Sequence, residues 1–530
     1  MESVADARLL IPPRTKSRKM QAAFEQMIKA FFGGNALVAV IVLALITIFL
    51  FREGFGFFGQ NLANLRLYRQ AGLEYVDIIR GVSTQHEALA RNLSDIRLRE
   101  VRTMEKRNVP LDEINAALVP FDQFAAGFGD SAENMRGLLS DLTDQASALK
   151  EQLFARNELL VQREQLMRSG NQAAAAAIAV PEVNHDAALA TLGQSAATFD
   201  TASAEMAAKI RNLLGESPSL PDPAGTKALE QWKSKAREYL DGLPVASQRL
   251  RAWSPDVLVP WYRSISSFLT GREWVTASFW QDWYGIIPLL VGSVLVSIVA
   301  LLIAVPLGVS SAIYVSEIAS RHERRFIKPY IEFISAIPSV VLGFFGIAVV
   351  GQAVRAASQS PLLKWVSFFP ISERLNVFTA GCLLALMAVP TIFTLSEDAL
   401  RNVPRGFKEA SYALGANRLQ TIGRVLVPAS LSGIVSAILL GLGRVIGETM
   451  VVLLCAGNRI AIPDFTQGLG AMFQPVHTMT GIIAQEMGEV VRGSTHYRAL
   501  FMVGLVLFTI TLVINYLAQK LVARYRMSIG

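Results

Sequence analysis

The densest chemistry in the sequence is the run Gly-Leu-Gly-Arg-Val-Ile-Gly-Glu-Thr-Met, which sets Arg444, Glu448 and Thr449 inside a long apolar stretch. Arg444 and Glu448 are four residues apart, so an unbroken helix would place them on one face. A guanidinium stays charged and grips two oxygens of an oxyanion at once. A neighbouring carboxylate neutralises it at rest or accepts a proton from a protonated anion. Thr449 and Ser436 add hydroxyls nearby. An ionisable group at bilayer depth costs on the order of 2.5–3.5 kcal/mol, so it normally faces a bundle interior or a water-filled path. Two readings stand at this point: an anion pathway, or an ion pair that only fixes helix packing.

A second constellation lies upstream, in SEDALRNVPRGFKEASYALGANRLQTIGRVLVPASLSG. It reads as helix, glycine turn, second helix, then proline. Pro404 suits a first helical turn. Ala410, Ala413 and Leu414 make a small apolar face beside Glu409. Gly415 stops the helix as a residue just past its C-cap. Pro428 opens the next apolar run, where its missing N–H costs little. A short amphipathic helix here is either a passive surface element or one built to be pushed by another protein.

Other patterns carry less. Gly54-Phe55-Gly56-Phe57-Phe58-Gly59 matches a dinucleotide fingerprint, but it follows an apolar run instead of a strand, so the required context is missing. No GxxxxGK[ST] occurs, so the chain has no P-loop for ATP. His86, His185, His322, His477 and His496 are scattered and read as ordinary surface histidines. Cys382 and Cys455 lie in apolar runs and read as inert thiols, not as a disulfide. Neither a metal cluster nor a Ser/His/Asp nucleophile is expected, and the chain is not read as an enzyme.

Positioning these residues falls to membrane helices. Of 530 residues, 52% are apolar and 18% charged, against about 25% charged in a typical soluble domain. Six runs are long enough to cross a bilayer: 34–51, 286–312, 331–354, 377–396, 429–456 and 499–520. Residues 53–284 hold 24 Lys/Arg and 29 Asp/Glu, net −5, which leaves +12 in the rest of a chain of net +7. That excess sits in the leader, in 316–330, in 397–428 and in the tail. Alternating spans put all four on one side, which the positive-inside rule makes cytoplasmic. The charge is therefore read as topology and not as nucleic-acid binding.

The expected organisation is a basic cytoplasmic N-terminus at 1–33, a first span at 34–51 that is an uncleaved anchor, and an extracytoplasmic helical insert at 53–284. A core at 285–520 with five spans follows, then a cytoplasmic tail at 521–530. Within the insert, 61–108, 111–168, 186–214 and 225–252 read as amphipathic helices punctuated by Pro110, Pro181, Pro221, Pro244 and Pro255. The insert is a spacer, or a domain that docks or senses something.

The spacing Glu409-Ala410-Ser411, three residues, Gly415, nine residues, Val425-Leu426-Val427-Pro428 resembles the EAA loop of ABC-importer permeases. The departures are Ser411 for an alanine and Val425 and Val427 for isoleucine and leucine. GLGRVIGETMVVLLCAGN at 441–458, FLTGREW at 268–274, 284–317 and IPSVVLGFFGI at 337–347 are similar to the PstC-type permeases of phosphate ABC importers. Met450-Val451 stands where PstA-type permeases usually carry Ala-Pro. The likeness covers about 265–530 and the first span, and omits the insert, which PstC-type permeases replace with a far shorter loop.

This resemblance implies an all-α polytopic membrane protein with six transmembrane helices of the type I ABC-importer permease fold. It implies a transporter subunit in the bacterial inner membrane, with both termini cytoplasmic and phosphate as substrate. Arg444, Glu448 and Thr449 would line the pathway. Glu409, Ala410, Ser411, Gly415 and Pro428 would form the loop that docks on an ATPase. Its partners would be a second permease (PstA-like), two ATPase subunits (PstB-like) that hold ATP and Mg, and an extracytoplasmic phosphate-binding protein (PstS-like), all around a lipid bilayer. The chain would bind no cofactor and no nucleic acid itself. The alternatives are a permease for another oxyanion or a phosphonate, or one whose insert mainly senses or docks a partner. A pure sensor usually has two spans and a cytoplasmic output domain, unlike this chain.

Overall fold

The computed structural model describes residues 16–276, 281–363, 365–366 and 368–525. Among them the fold is helical, apart from an antiparallel pairing of Trp274–Val275 with Trp283–Tyr284. The chain divides into two compact units, Met1–Phe58 with Ile286–Gly530, and Gly59–Gly285.

Among the described residues six helices are long and apolar enough to cross a membrane: Phe24–Gln70, Ile287–Ile318, Ser339–Ser358, Val377–Arg401, Arg418–Gly447 and Thr495–Lys520. The second packs along the fourth, the fourth along the fifth, and the fifth along the sixth. Small residues set these approaches, as expected where lipid supplies no hydrophobic drive between helices. A Cβ on Gly381 would lie 2.5 Å from Val299, and one on Gly308 or Gly441 would lie 2.9 or 2.7 Å from Ile392. In the dinucleotide-like run Gly54 and Gly56 face other membrane-unit residues, while Gly59 has nothing near it. They lie within the helix Lys16–Gln70, where a Cβ on Gly54 would touch Leu505 and one on Gly56 would come 3.1 Å from the Arg498 guanidinium.

The third span differs from its sequence boundary. Residues 331–334 belong to a separate amphipathic helix, Arg321–Ile334, opened by a Ser320/Glu323 capping box. The span itself starts at Ser339, just after Pro338. The fifth span also differs: its helix starts at Arg418 and stops at Gly447 instead of running to 456.

The unit Gly59–Gly285 is built on Leu73–Lys106, Leu111–Asp130, Glu133–Arg168, His185–Gly215 and Pro223–Ala252. Its core holds Tyr75, Phe121, Phe128 and Phe199, all fully buried. The Trp232 indole N–H donates to the Leu89 carbonyl at 2.8 Å. Two stretches expected as single helices are each broken. Gly72 adopts φ +78°, and a Cβ there would meet Leu192 at 2.5 Å, so only glycine fits the turn before Leu73. The second break falls at Ser131–Ala132, two residues after Gly129. Pro110 and Pro223 sit at helix starts, whereas Pro120 and Pro244 are carried inside helices. His86 is not a surface residue: it is buried, with its ring stacked on Phe128 at 4.2 Å.

Candidate functional site

The fifth span is built to stop where its charges are. Asn417 opens it with a capping box, accepting from the Gln420 N–H at 2.9 Å while its own N–H donates to the Gln420 side chain at 3.0 Å. The helix widens into a π turn over Ile422–Leu426 and continues as Val427–Gly447. Pro428 therefore lies inside a helix already under way, directly after the π turn, and does not open the span. At Glu448 the backbone turns extended (φ −73°, ψ 132°), and a short helix resumes at Met450–Cys455. The Thr480 hydroxyl donates to the freed Glu448 carbonyl at 2.9 Å. Broken helices at membrane depth need such replacement partners.

The break undoes the expected pairing. Arg444 ends about 26 Å along Val427–Gly447, at ~1.5 Å per residue, and Glu448 lies just beyond the last helical turn. The two do not share a helical face, and no ion pair joins them. The Glu448 Oε1 instead accepts from the Met450 N–H at 3.3 Å, capping the second half. The Arg444 guanidinium donates to the Thr391 hydroxyl at 3.0 Å, and no described carboxylate pairs with it. Its side chain is exposed on the span surface of the isolated chain. Thr449 donates back to the Gly447 carbonyl at 3.4 Å, and Ser436 to Ser432 within its own helix, so Ser436 is not brought to the break. His477 is buried near this region, its Nδ1 accepting from the Thr478 N–H and its Nε2 3.1 Å from Gln485, contrary to a surface reading.

The loop between the fourth and fifth spans folds as Arg405–Ala413, capped by Pro404. Gly415 adopts φ +79°, its N–H bonds to the Tyr412 carbonyl at 2.9 Å, and the Ala416 N–H reaches the Ser411 carbonyl at 3.2 Å. This is a Schellman ending, which needs glycine at the left-handed position. The hydroxyl of Ser411 lies 2.9 Å from that of Thr421, so it ties the short helix to the start of the fifth span. Glu409 and Ala410 are exposed, and Leu414 is 89% exposed. A groove of about 500 Å³ runs along Phe407, Ala410, Leu414, Gly415 and Gln420.

Sequence reasoning passed over two carboxylates, one that anchors this loop and one at the end of the fourth span before it. Lys408 pairs with Glu317 at the end of the second span at 2.7 Å, and Arg418 donates to the Glu317 carbonyl. Glu397, fully buried near the end of the fourth span, pairs with Lys328 at 2.8 Å and Arg401 at 2.6 Å. Both follow a serine at the end of an apolar run, Ser316-Glu317 and Ser396-Glu397, and each is an acid among bases. That pattern was readable.

The model of the family described as binding-protein-dependent transport system inner membrane component matches residues 304–527. The chain is 36% identical over 258 residues to a probable ABC transporter permease protein, YqgH, of Bacillus subtilis, covering 48% of this chain and 77% of that one. It is 33% identical over 266 residues to the phosphate transport system permease protein PstC of Pasteurella multocida, covering 49% and 80%. It is 34% identical over 285 residues to the phosphate transport system permease protein PstC 1 of Mycobacterium tuberculosis, covering 48% and 81%. A solved structure of the MetNI methionine ABC transporter in an inward-facing conformation aligns at 20% identity and TM-score 0.34, over 46% of this chain and 95% of that one. With these relatives, the chain belongs to the family of binding-protein-dependent transport system inner membrane components, a multi-pass membrane subunit of an ABC importer and not itself an enzyme.

Proposed function

We propose that this chain is the permease subunit of an ATP-driven importer of inorganic phosphate. The observation that carries the reading is Arg444: a guanidinium on the exposed face of a membrane span, positioned by Thr391 and left unneutralised by any described carboxylate. Facing lipid would be costly, so it belongs on a water-filled path or against a partner subunit. There it grips two oxygens of a phosphate. The relatives named as phosphate permeases support that anion. Glu448, at the break, supplies an acceptor for a protonated phosphate oxygen, a feature that favours phosphate over fully ionised sulfate, and Thr449 adds a hydroxyl.

The exposed helix Arg405–Ala413 is the part pushed by a cytoplasmic ATPase, with Glu409, Ala410, Ser411 and Gly415 at the contact. The Lys408–Glu317 pair passes its displacement to the second span, and the Ser411–Thr421 contact passes it to the fifth. In this reading both termini are cytoplasmic, and residues 53–284 form the extracytoplasmic insert. A second permease completes the path, two ATPases hold ATP and Mg, and an outside binding protein delivers phosphate.

The test is labelled phosphate uptake in cells lacking this gene, complemented with wild type or Arg444→Gln at equal expression and equal ATPase co-purification. The lost charge-assisted bonds correspond to a drop on the order of 10–100-fold. Full rescue by Arg444→Gln would reduce the arginine to packing. Failure of wild type to rescue would reject phosphate as the solute.

A further inference from the structure

The helix Arg321–Ile334 divides into two unlike faces. Its inner face is fully engaged. Ile327 and Ile331 pack on the cluster of Ala312, Phe393 and Leu400. Arg324 donates to the carbonyls of Val315 and Ser316 at 2.9 and 2.6 Å, and Lys328 bridges to Glu397. Its outer face carries Phe326, Tyr330 and Phe333 at i, i+4 and i+7, exposed by 74, 66 and 66%. The rings of Phe326 and Tyr330 stack at 6.2 Å. Arg321 and Arg325, one turn apart, are exposed on a flank of the helix beside this ridge. Glu332, on that flank, lies 3.8 Å from Lys328, and Glu323, on the ridge side, accepts from the Ser320 N–H at 2.7 Å and the Tyr314 hydroxyl at 3.2 Å.

The helix cannot leave the bilayer edge. Only Ala319 and Ser320 separate it from the span Ile287–Ile318, and only 335–338 separate it from Ser339–Ser358. An extended residue spans at most about 3.6 Å. An aromatic ridge held there, flanked by cations, has the composition of a helix lying in the headgroup region. Tyrosine is favoured at that depth, and arginine is drawn to anionic leaflets.

We propose that this face is a docking surface for anionic phospholipid. Phe326, Tyr330 and Phe333 enter the boundary between acyl chains and headgroups, and Arg321 and Arg325 hold headgroup phosphates. The surface operates whichever solute the permease carries, so its test is independent of the transport reading.

The experiment uses the full chain in lipid nanodiscs with Tyr330→Trp as a fluorescent reporter, after subtraction of the native tryptophan signal. Brominated phosphatidylglycerol and brominated phosphatidylcholine are compared at equal mole fraction. Phosphatidylglycerol is expected to quench at least about twofold more strongly, since each surface cation shifts lipid partition by about fivefold at most. Adding Arg321→Gln and Arg325→Gln is expected to bring the two lipids to parity without changing quenching by phosphatidylcholine. Equal quenching with the arginines intact would overturn the anionic preference. No quenching by either lipid would show a protein covering the face and overturn the proposal. Mass spectrometry of co-purified lipid gives a second readout free of the reporter: phosphatidylglycerol is expected to fall with the double arginine substitution, and an unchanged amount would count against it.

Discussion

In the unit Gly59–Gly285 the largest fully buried side chains are aromatic, among them Tyr75, Phe121, Phe128 and Phe199, set among aliphatic ones such as Leu73, Ile79 and Leu118, with Trp232 at 2% exposure. In the membrane unit glycines such as Gly308, Gly381 and Gly441 let helices approach closely, and Glu397, at 0% exposure, is buried as an acid paired with two cations. The contrast follows from the solvent each surface meets. A helix bundle with a charged exterior is driven together by water leaving apolar area, so bulky side chains stabilise it most. Helices surrounded by lipid gain nothing from that transfer and rely on close backbone approach and on polar bonds. The two units are therefore expected to fail under different substitutions.

The largest expected effect is in the first unit. Phe128→Ala removes a fully buried ring that stacks on His86 and meets Trp232 edge-on at 4.9 Å. A loss of about 3–5 kcal/mol is expected for such a cavity. Hydrogen exchange on the full chain should show it as faster exchange across 73–130 and 223–252, with the spans 377–401 and 418–447 unchanged. Exchange rising equally in both units would mean that they do not have separate energetics, and the comparison would collapse.

A smaller effect is expected from the buried acid of the membrane unit. Glu397→Ala leaves Arg401 without its partner and Lys328 with only Glu332, at 3.8 Å. Breaking a buried pair costs about 3–5 kcal/mol, but these cations are 28 and 42% exposed and can be rehydrated, so about 2–3 kcal/mol is the reasonable figure. Thermal unfolding of the membrane unit in detergent should drop, while exchange in 73–130 stays as it was. A drop that disappears in molar salt would mark Glu397 as a screened surface pair and weaken the contrast.

How much of this was legible in the sequence depends on the range of the interaction. Hydropathy alone located all six spans, because a span is a local property. The short helix Arg405–Ala413 was legible because Gly415 supplies the left-handed ending by itself. The break at Glu448 was not. Spacing of four residues implies one helical face only if the helix continues, and the partner of the freed carbonyl, Thr480, lies 32 residues away. Thr391, 53 residues from Arg444, was equally out of reach. Only the mostly apolar last four residues of the helix Arg321–Ile334 were absorbed into the third span and the rest read as a basic loop, although Ser320 and Glu323 mark a capping box that could have revealed the helix. Burial of His86 depends on which helices meet, and local pattern does not encode that.

His86 offers the finest division between the units, because it responds to pH in one of them alone. Burial pushes its pKa down to about 4, outweighing the pull of the Phe128 and Gly129 carbonyls, with Arg136 adding a smaller push in the same direction. Its ring stacks on Phe128 and tilts against Tyr239. The unfolded chain takes up a proton near pH 6.5 while the folded unit does not. Stability from this residue is thus fully present above about pH 6.5 and is lost as pH falls toward 4. Between neutrality and pH 5 the loss amounts to about 2 kcal/mol. His86→Phe should flatten that dependence in urea melts of the full chain followed by exchange at 73–106. The membrane spans should show no matching change in either protein. A pH slope that survives His86→Phe would assign the acid sensitivity to other groups, and one that appears equally in the spans would undo the division by solvent on which the comparison stands.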